Sequence, residues 1–108
     1  MKYRIELTEQ ASSDLRAIYE YIAFTLLEPE VAARQLERFE NAIMILDELP
    51  FRFHLFEAEP WHSRGLCQMP LDNFSVFYIA GEKEKTVTII RVMYGGRNID
   101  EQLNKTDY

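Results

Sequence analysis

A chain of 108 residues with a net charge of −6 has room for one hydrophobic core, and residues 1–108 are expected to form a single domain. Its composition, 47% hydrophobic and 28% charged, excludes a disordered or fibrous protein, and no apolar run reaches the roughly 18–20 residues that a membrane span needs. One cysteine excludes an internal disulfide, two histidines give no cluster at metal-ligand spacing, and the opening MKYRIELTEQ lacks the apolar core of a signal peptide, so the expectation is a cytoplasmic protein without metal or cofactor.

Residues 2–7, KYRIEL, alternate polar and apolar and read as a half-buried strand. Thr8 is placed to cap a helix, with Glu9 in its first turn, and Ala11, Leu15, Ile18, Tyr19, Ile22 and Leu26 follow at helical spacing, which predicts a helix over about Glu9–Leu27. Glu28-Pro29 interrupts it, because proline disfavours a helical residue before it but suits the first turn of a new helix. The second helix carries one stripe, Ala32, Leu36, Phe39, Ile43 and Leu46, and stops at Leu49-Pro50. So short a connection predicts an antiparallel helical hairpin.

Residues 50–63, PFRFHLFEAEPWHS, have no clean period and read as a loop pinned down by its aromatic side chains. His54, Glu57 and His62 are acid–base residue types, although most such side chains in a loop do no more than meet solvent or pack. Arg64–Met69 reads as a short strand, with Cys67 a core thiol, and Pro70-Leu71-Asp72-Asn73 as a turn. Two aromatic and β-branched runs follow, Phe74–Ala80 and Thr86–Tyr94, joined by Gly-Glu-Lys-Glu-Lys, and together they predict a β-hairpin. The second run is apolar on both alternation sets, Val87, Ile89 and Met93 against Ile90, Val92 and Tyr94, as expected of a central strand. Arg91 is the charge inside it. Gly95-Gly96 ends the run, Arg97 follows, and the last residues, Ile99 to Tyr108, are polar with Ile99 and Leu103 at helical spacing, the end being expected to fray.

The order strand, helix, helix, strand, strand, strand predicts an α+β fold, with the helical hairpin packed on one face of a small, mainly antiparallel sheet. The other face is then expected to be open for function. Charge is uneven: residues 1–50 hold five basic and ten acidic side chains, and residues 60–97 hold five basic and three acidic, so an anionic partner has one face to meet. A whole surface built for phosphate backbones is excluded by the net charge.

The opening YRIELTEQASSDLRAIYEYIA, the second helix VAARQLERFENAIMILDELP, the segment GLCQMPLDNFSVFYIA and the ending TVTIIRVMYGGRN together resemble the RelE/ParE superfamily of toxins from type II toxin–antitoxin systems. The resemblance covers nearly the whole chain. It implies the β-α-α-β-β-β fold and a cognate antitoxin that wraps the toxin. The RelE-like branch cleaves messenger RNA in the ribosome without a metal ion, which here would draw on Arg64, Arg91 and Arg97 for charge and on Tyr94, or less well His62, for proton transfer. Arg97 matches where RelE-like enzymes place a functional arginine, their lysine pair has no counterpart between Phe51 and Met69, and Cys67-Gln68 stand where many relatives have arginine. The ParE-like branch inhibits DNA gyrase, and the ending Arg-Val-Met-Tyr-Gly-Gly-Arg-Asn looks closer to that branch, with Tyr94 in place of a histidine. Other readings stay open: a carboxylate that ties Arg91 into the fold, Tyr94 as an aromatic edge of the core, or a degenerate, non-toxic member.

Overall fold

Thr8 ends the first strand and starts the first helix with one side chain: its Oγ1 accepts from the amide of Ala11 at 3.0 Å and donates to the carbonyl of Ile90 at 2.9 Å. The computed structural model, which describes residues 2–95, 98–106 and 108, runs β1 (Arg4–Leu7), α1 (Glu9–Glu20), α2 (Pro29–Ile45), β2 (Leu66–Leu71), β3 (Phe74–Gly81), β4 (Thr86–Tyr94) and α3 (Ile99–Asn104). α1 and α2 are joined through a π-helical turn over Tyr21–Thr25, where the Leu26 amide reaches back to the Tyr21 carbonyl at 2.9 Å. The first helix is therefore α-helical for a shorter stretch than its apolar period predicts. Pro29 opens α2 as expected, its missing N–H being one of the donors a helix start leaves unused.

The sheet has the order β1-β4-β3-β2, with β1 parallel to β4 and the other pairs antiparallel. The α+β arrangement predicted from the element order is the one observed. The core between helices and sheet is built on Phe39, Ile43, Leu46, Val76, Tyr78, Val87 and Ile89. No helix of the described residues is long and apolar enough to cross a membrane.

Four expectations are corrected. β2 begins at Leu66, leaving Arg64 in a turn, and it continues through Pro70 to Leu71; as an edge strand it tolerates a residue that cannot donate to the ladder. Only Asp72 and Asn73 remain as the turn, with Asp72 at φ 56°.

The faces of β4 are exchanged by a bulge. Phe77 pairs with Arg91 while Tyr78 pairs with Ile89, so Ile90 is an extra residue and the alternation shifts by one. Val92 joins Val87 and Ile89 in the helix-side core, whereas Ile90 and Met93 point to the other face.

That other face is not open. A second buried cluster of Trp61, Leu66, Phe77, Ile90, Met93 and Leu103 fills it, covered by the 50–65 loop and α3. Nor does the C-terminal segment fray across its length: the Asn98 side chain caps α3 by accepting from the Glu101 amide at 3.2 Å, and Leu103 is fully buried. The loop is tied to the free edge of β2 by an amide–carbonyl bond from Gln68 to His54 at 2.9 Å and one from Phe56 to Leu66 at 2.7 Å. It is further tied by the Tyr78 hydroxyl, which donates to the Pro50 carbonyl at 2.8 Å.

Candidate functional site: a groove between the helical hairpin and the end of the central strand

β1 stops at Leu7, opposite Ile89, so among the described residues the last half of β4 has no strand on that side. Helix α1 takes the place of the missing ladder. Asp14, in the second turn of α1, accepts from the Val92 amide at 2.9 Å, and Thr8 takes the Ile90 carbonyl, so the groups left over by the bulge find side-chain partners. The same carboxylate receives Arg91 through Nε at 2.7 Å and Nη2 at 2.9 Å, with both side chains about 15% exposed. Nη1 of Arg91 donates to the Thr106 hydroxyl at 3.0 Å. A planar guanidinium with a bidentate carboxylate and a hydroxyl on it is anchored in the fold.

Beyond this anchor the helices and the sheet diverge into an open groove of about 970 Å³. Ile18, Tyr21, Leu26 and Val31 wall one side, Phe74 and Tyr94 the other, and Gln35, Glu28 and Asn73 supply polar groups at its border. Tyr21, Leu26 and Tyr94 are each half exposed, at 55%, 50% and 51%. The Tyr94 ring stands edge-on to Phe74 at 5.8 Å between centroids, and Phe74 edge-on to Phe39 at 5.2 Å, so an aromatic row runs from the core to the groove wall. At the hairpin tip Phe24 and Leu27 are also exposed. Leu27 holds φ 60°, a left-handed conformation that is unfavourable for its branched side chain.

Of the candidate residues, the structure brings Arg91 and Tyr94 to this groove. Arg64 lies elsewhere, its guanidinium over the Trp61 ring at 4.9 Å and its Nη1 donating to the Tyr108 carbonyl at 3.4 Å. Arg97 lies outside the described residues. His54, Glu57 and His62 are exposed in the loop and do not line the groove, and the His62 Nδ1 sits 2.8 Å from the Phe56 carbonyl. Sequence reasoning missed Asp14, a carboxylate among many on α1. It also missed Tyr21, Phe24, Leu26 and Leu27, for which a signal exists: YIAFTLL is apolar around the whole helix circumference, more than one buried stripe accounts for.

Two other ionised groups are set by hydrogen bonds. Arg38 on α2 donates through Nε and Nη2 to Asp72 at 2.8 Å each, and Gln35 adds a bond at 3.0 Å, which together hold the Asp72 carboxyl below the usual carboxylate range. Burial pushes the Cys67 thiol up, away from the reactive thiolate.

No curated protein sequence matches the chain. Among solved structures, the toxin–antitoxin system ParDE encoded on the chromosome of P. aeruginosa is similar over 86% of this chain and 96% of that one, with a TM-score of 0.69 and 22% identity. The RelBE2 toxin–antitoxin complex of Mycobacterium tuberculosis covers 87% of this chain and 99% of its own, with a TM-score of 0.62 and 21% identity. A mutant of the E. coli toxin RelE in the free state covers 98% and 95%, with a TM-score of 0.65 and 14% identity. At these identities the likeness establishes the fold. The family model described as the ParE toxin of the type II toxin–antitoxin system parDE matches residues 5–99, from β1 to the first residue of α3, and the chain belongs to that family.

Proposed function

We propose that this chain is a ParE-like toxin that inhibits DNA gyrase by direct contact in the cytoplasm and is held inactive by a cognate antitoxin. The observation that carries the reading is the state of Arg91: its guanidinium is spent on Asp14 and Thr106, inside the fold, while the surface beside it is an apolar groove with exposed rings. That arrangement favours recognition over acid–base chemistry. The groove suits the apolar face of an amphipathic helix, and Glu28 at its border favours a basic residue on the helix's flank. An antitoxin segment of this kind is the occupant we assign to it.

The alternative is a RelE-like, ribosome-dependent nuclease. It draws its support from Tyr94, whose half-exposed ring stands at the end of β4, three positions before Arg97. Inducing the chain alone in bacterial cells and following thymidine and amino-acid incorporation over the first minutes separates the two. The gyrase reading requires an early fall in DNA synthesis and inhibition of supercoiling by the purified protein. An early fall in protein synthesis instead overturns it in favour of the nuclease, and no fall in either, with folded protein present, makes the chain a non-toxic member.

A further inference from the structure

β1 is the outermost strand of the sheet, and among the described residues its outer edge is unpaired over most of its length. Arg4 donates to the Lys85 carbonyl at 2.8 Å and Thr8 to the Ile89 carbonyl at 3.0 Å, so the even-numbered residues direct their amides to β4. The odd-numbered ones, Tyr3, Ile5 and Leu7, direct theirs outward. Tyr3 confirms the parity, since its amide leaves the sheet to reach the Asp47 carbonyl at 2.8 Å. Ile5 and Leu7 therefore present donors and acceptors along a free edge, where a further strand adds most readily.

The side chains along this edge select what can lie beside it. Tyr3, Ile5 and Leu7 share the helix-side face, with Tyr3 and Ile5 packed on the core and Leu7 40% exposed. Arg4 and Glu6 share the other face, are exposed, and carry opposite charges that already meet within the chain, Arg4 Nε donating to Glu6 Oε2 at 2.9 Å, so a second copy would extend this pair into an alternating set of four charges. We propose that β1 is a self-pairing edge, and that two copies of this chain associate through it, antiparallel about a twofold axis at Ile5. In this register Ile5 faces Ile5 of the second copy as a hydrogen-bonded pair, and each Leu7 faces Tyr3 of the second copy. Each Arg4 faces Glu6 of the second copy in the flanking non-hydrogen-bonded position, where side chains approach most closely. Apolar meets apolar on one face and opposite charges meet on the other.

The neighbouring register does not do this. Centring the axis on Glu6 sets the two Glu6 carboxylates opposite each other and leaves Arg4 facing Thr8, so the charges choose the Ile5 register. The Tyr3 amide keeps its bond to Asp47, and only its carbonyl is used by Leu7 of the second copy. Phe51, exposed and edge-on to Tyr3 at 6.1 Å, extends the apolar side of the contact. The result is a continuous sheet across two subunits, closed by the twofold axis so that growth stops at the dimer. The groove at the hairpin tip contains no β1 residue.

Sedimentation of the purified full chain over a range of concentrations tests the proposal, with wild type beside Arg4→Glu, Glu6→Arg and the double exchange. Wild type is expected to be a dimer. Each single change sets like charges face to face and is expected to weaken association roughly tenfold or more, and the double exchange is expected to restore it. Both residues are exposed, and far-UV circular dichroism checks that the variants fold. Hydrogen exchange on wild type gives a measurement free of mutation, because the Ile5 and Leu7 amides are expected to become protected as concentration rises. A wild type that stays monomeric overturns the proposal, as does a single exchange that associates like wild type or a double exchange that does not recover. So does a dimer whose Ile5 and Leu7 amides stay unprotected. Protection seen only when a different protein is added assigns the edge to that protein and also overturns it.

Discussion

Arg91 and Asp14 meet across 77 residues of sequence, Nε and Nη2 of the one on the two carboxylate oxygens of the other at 2.7 and 2.9 Å. The carboxylate also takes the Val92 amide, so one side chain closes both the charge of β4 and its broken ladder. Asp14→Ala is expected to destabilise the fold by about 2–4 kcal/mol, because it strands a largely buried guanidinium and a backbone donor together. Arg91→Ala is expected to act in the same direction, and the double variant to lose clearly less than the sum of the two. Urea unfolding of the three variants measures this. Small, additive losses would show that the pair is an incidental surface contact.

The second face of the sheet leads to a different expectation. Leu103 is fully buried on it, together with Trp61, Phe77 and Ile90, although it belongs to a helix of only six residues. Such a helix has little stability of its own and is held by that side chain. Leu103→Ala is expected to cost about 2–4 kcal/mol and to raise exchange of the α3 amides toward that of an unstructured segment. An unchanged urea midpoint would mean that α3 contributes nothing to the core.

These two sites show what a sequence reading reaches and where it stops. Thr8, the 4-3-4-3 spacing of Ala32, Leu36, Phe39, Ile43 and Leu46, and Pro29 act within a few residues, so the strand, the helical hairpin and the final β-hairpin were readable locally. The bulge at Ile90 was not, because nothing in TVTIIRVMY marks the residue at which alternation slips; the pairing of Phe77 and Tyr78 decides it. The face assignments of Val92 and Met93 went wrong with it, and so did the expectation of an open second face. Arg91 was singled out correctly as an anomaly, but its meaning depends on Asp14, and a carboxylate on the surface of α1 looks the same in sequence whether or not an arginine arrives opposite it.

Asp72 gives the fold a pH dependence whose sign follows from its partners. Its carboxyl is held below the usual range by Arg38 first and Gln35 next, so the unfolded chain binds the proton more readily than the folded one. The stabilisation is complete above the ordinary carboxylate range near about pH 4 and fades as pH falls through the lower folded value. Asp72→Asn, which keeps a residue tolerant of φ 56°, is expected to lower the urea midpoint at neutral pH, by an amount that shrinks steadily as pH falls below the ordinary carboxylate range. A difference that persists unchanged into acid would assign the loss to the turn and not to the charge.

Leu27 combines a φ of 60° with 77% exposure, so the backbone conformation is unfavourable and burial offsets little of it. Replacing it by glycine is expected to stabilise the free protein by about 0.5–1 kcal/mol, the relief of the left-handed conformation outweighing the extra backbone entropy. If the hairpin tip belongs to the antitoxin contact, the same variant binds antitoxin more weakly, and titration calorimetry reads that loss separately from stability. Unchanged binding would remove Leu27 from the contact.

Tyr94 distinguishes recognition from catalysis with a single oxygen atom. Its ring is placed by the edge-on contact to Phe74 at 5.8 Å, which a phenylalanine can reproduce. A toxin that works by contact is therefore expected to tolerate Tyr94→Phe, keeping growth arrest and gyrase inhibition within about twofold. Tyr94→Ala, which removes a half-exposed aromatic wall of the groove, is expected to weaken partner binding roughly tenfold or more. A nuclease that uses the phenol for proton transfer behaves in the opposite way. Loss of the hydroxyl alone then lowers RNA cleavage by roughly 10²–10⁴-fold while leaving antitoxin affinity intact. Measuring growth arrest, RNA cleavage on ribosomes and antitoxin affinity on the same two variants decides between them, because only the contact reading lets phenylalanine pass and alanine fail.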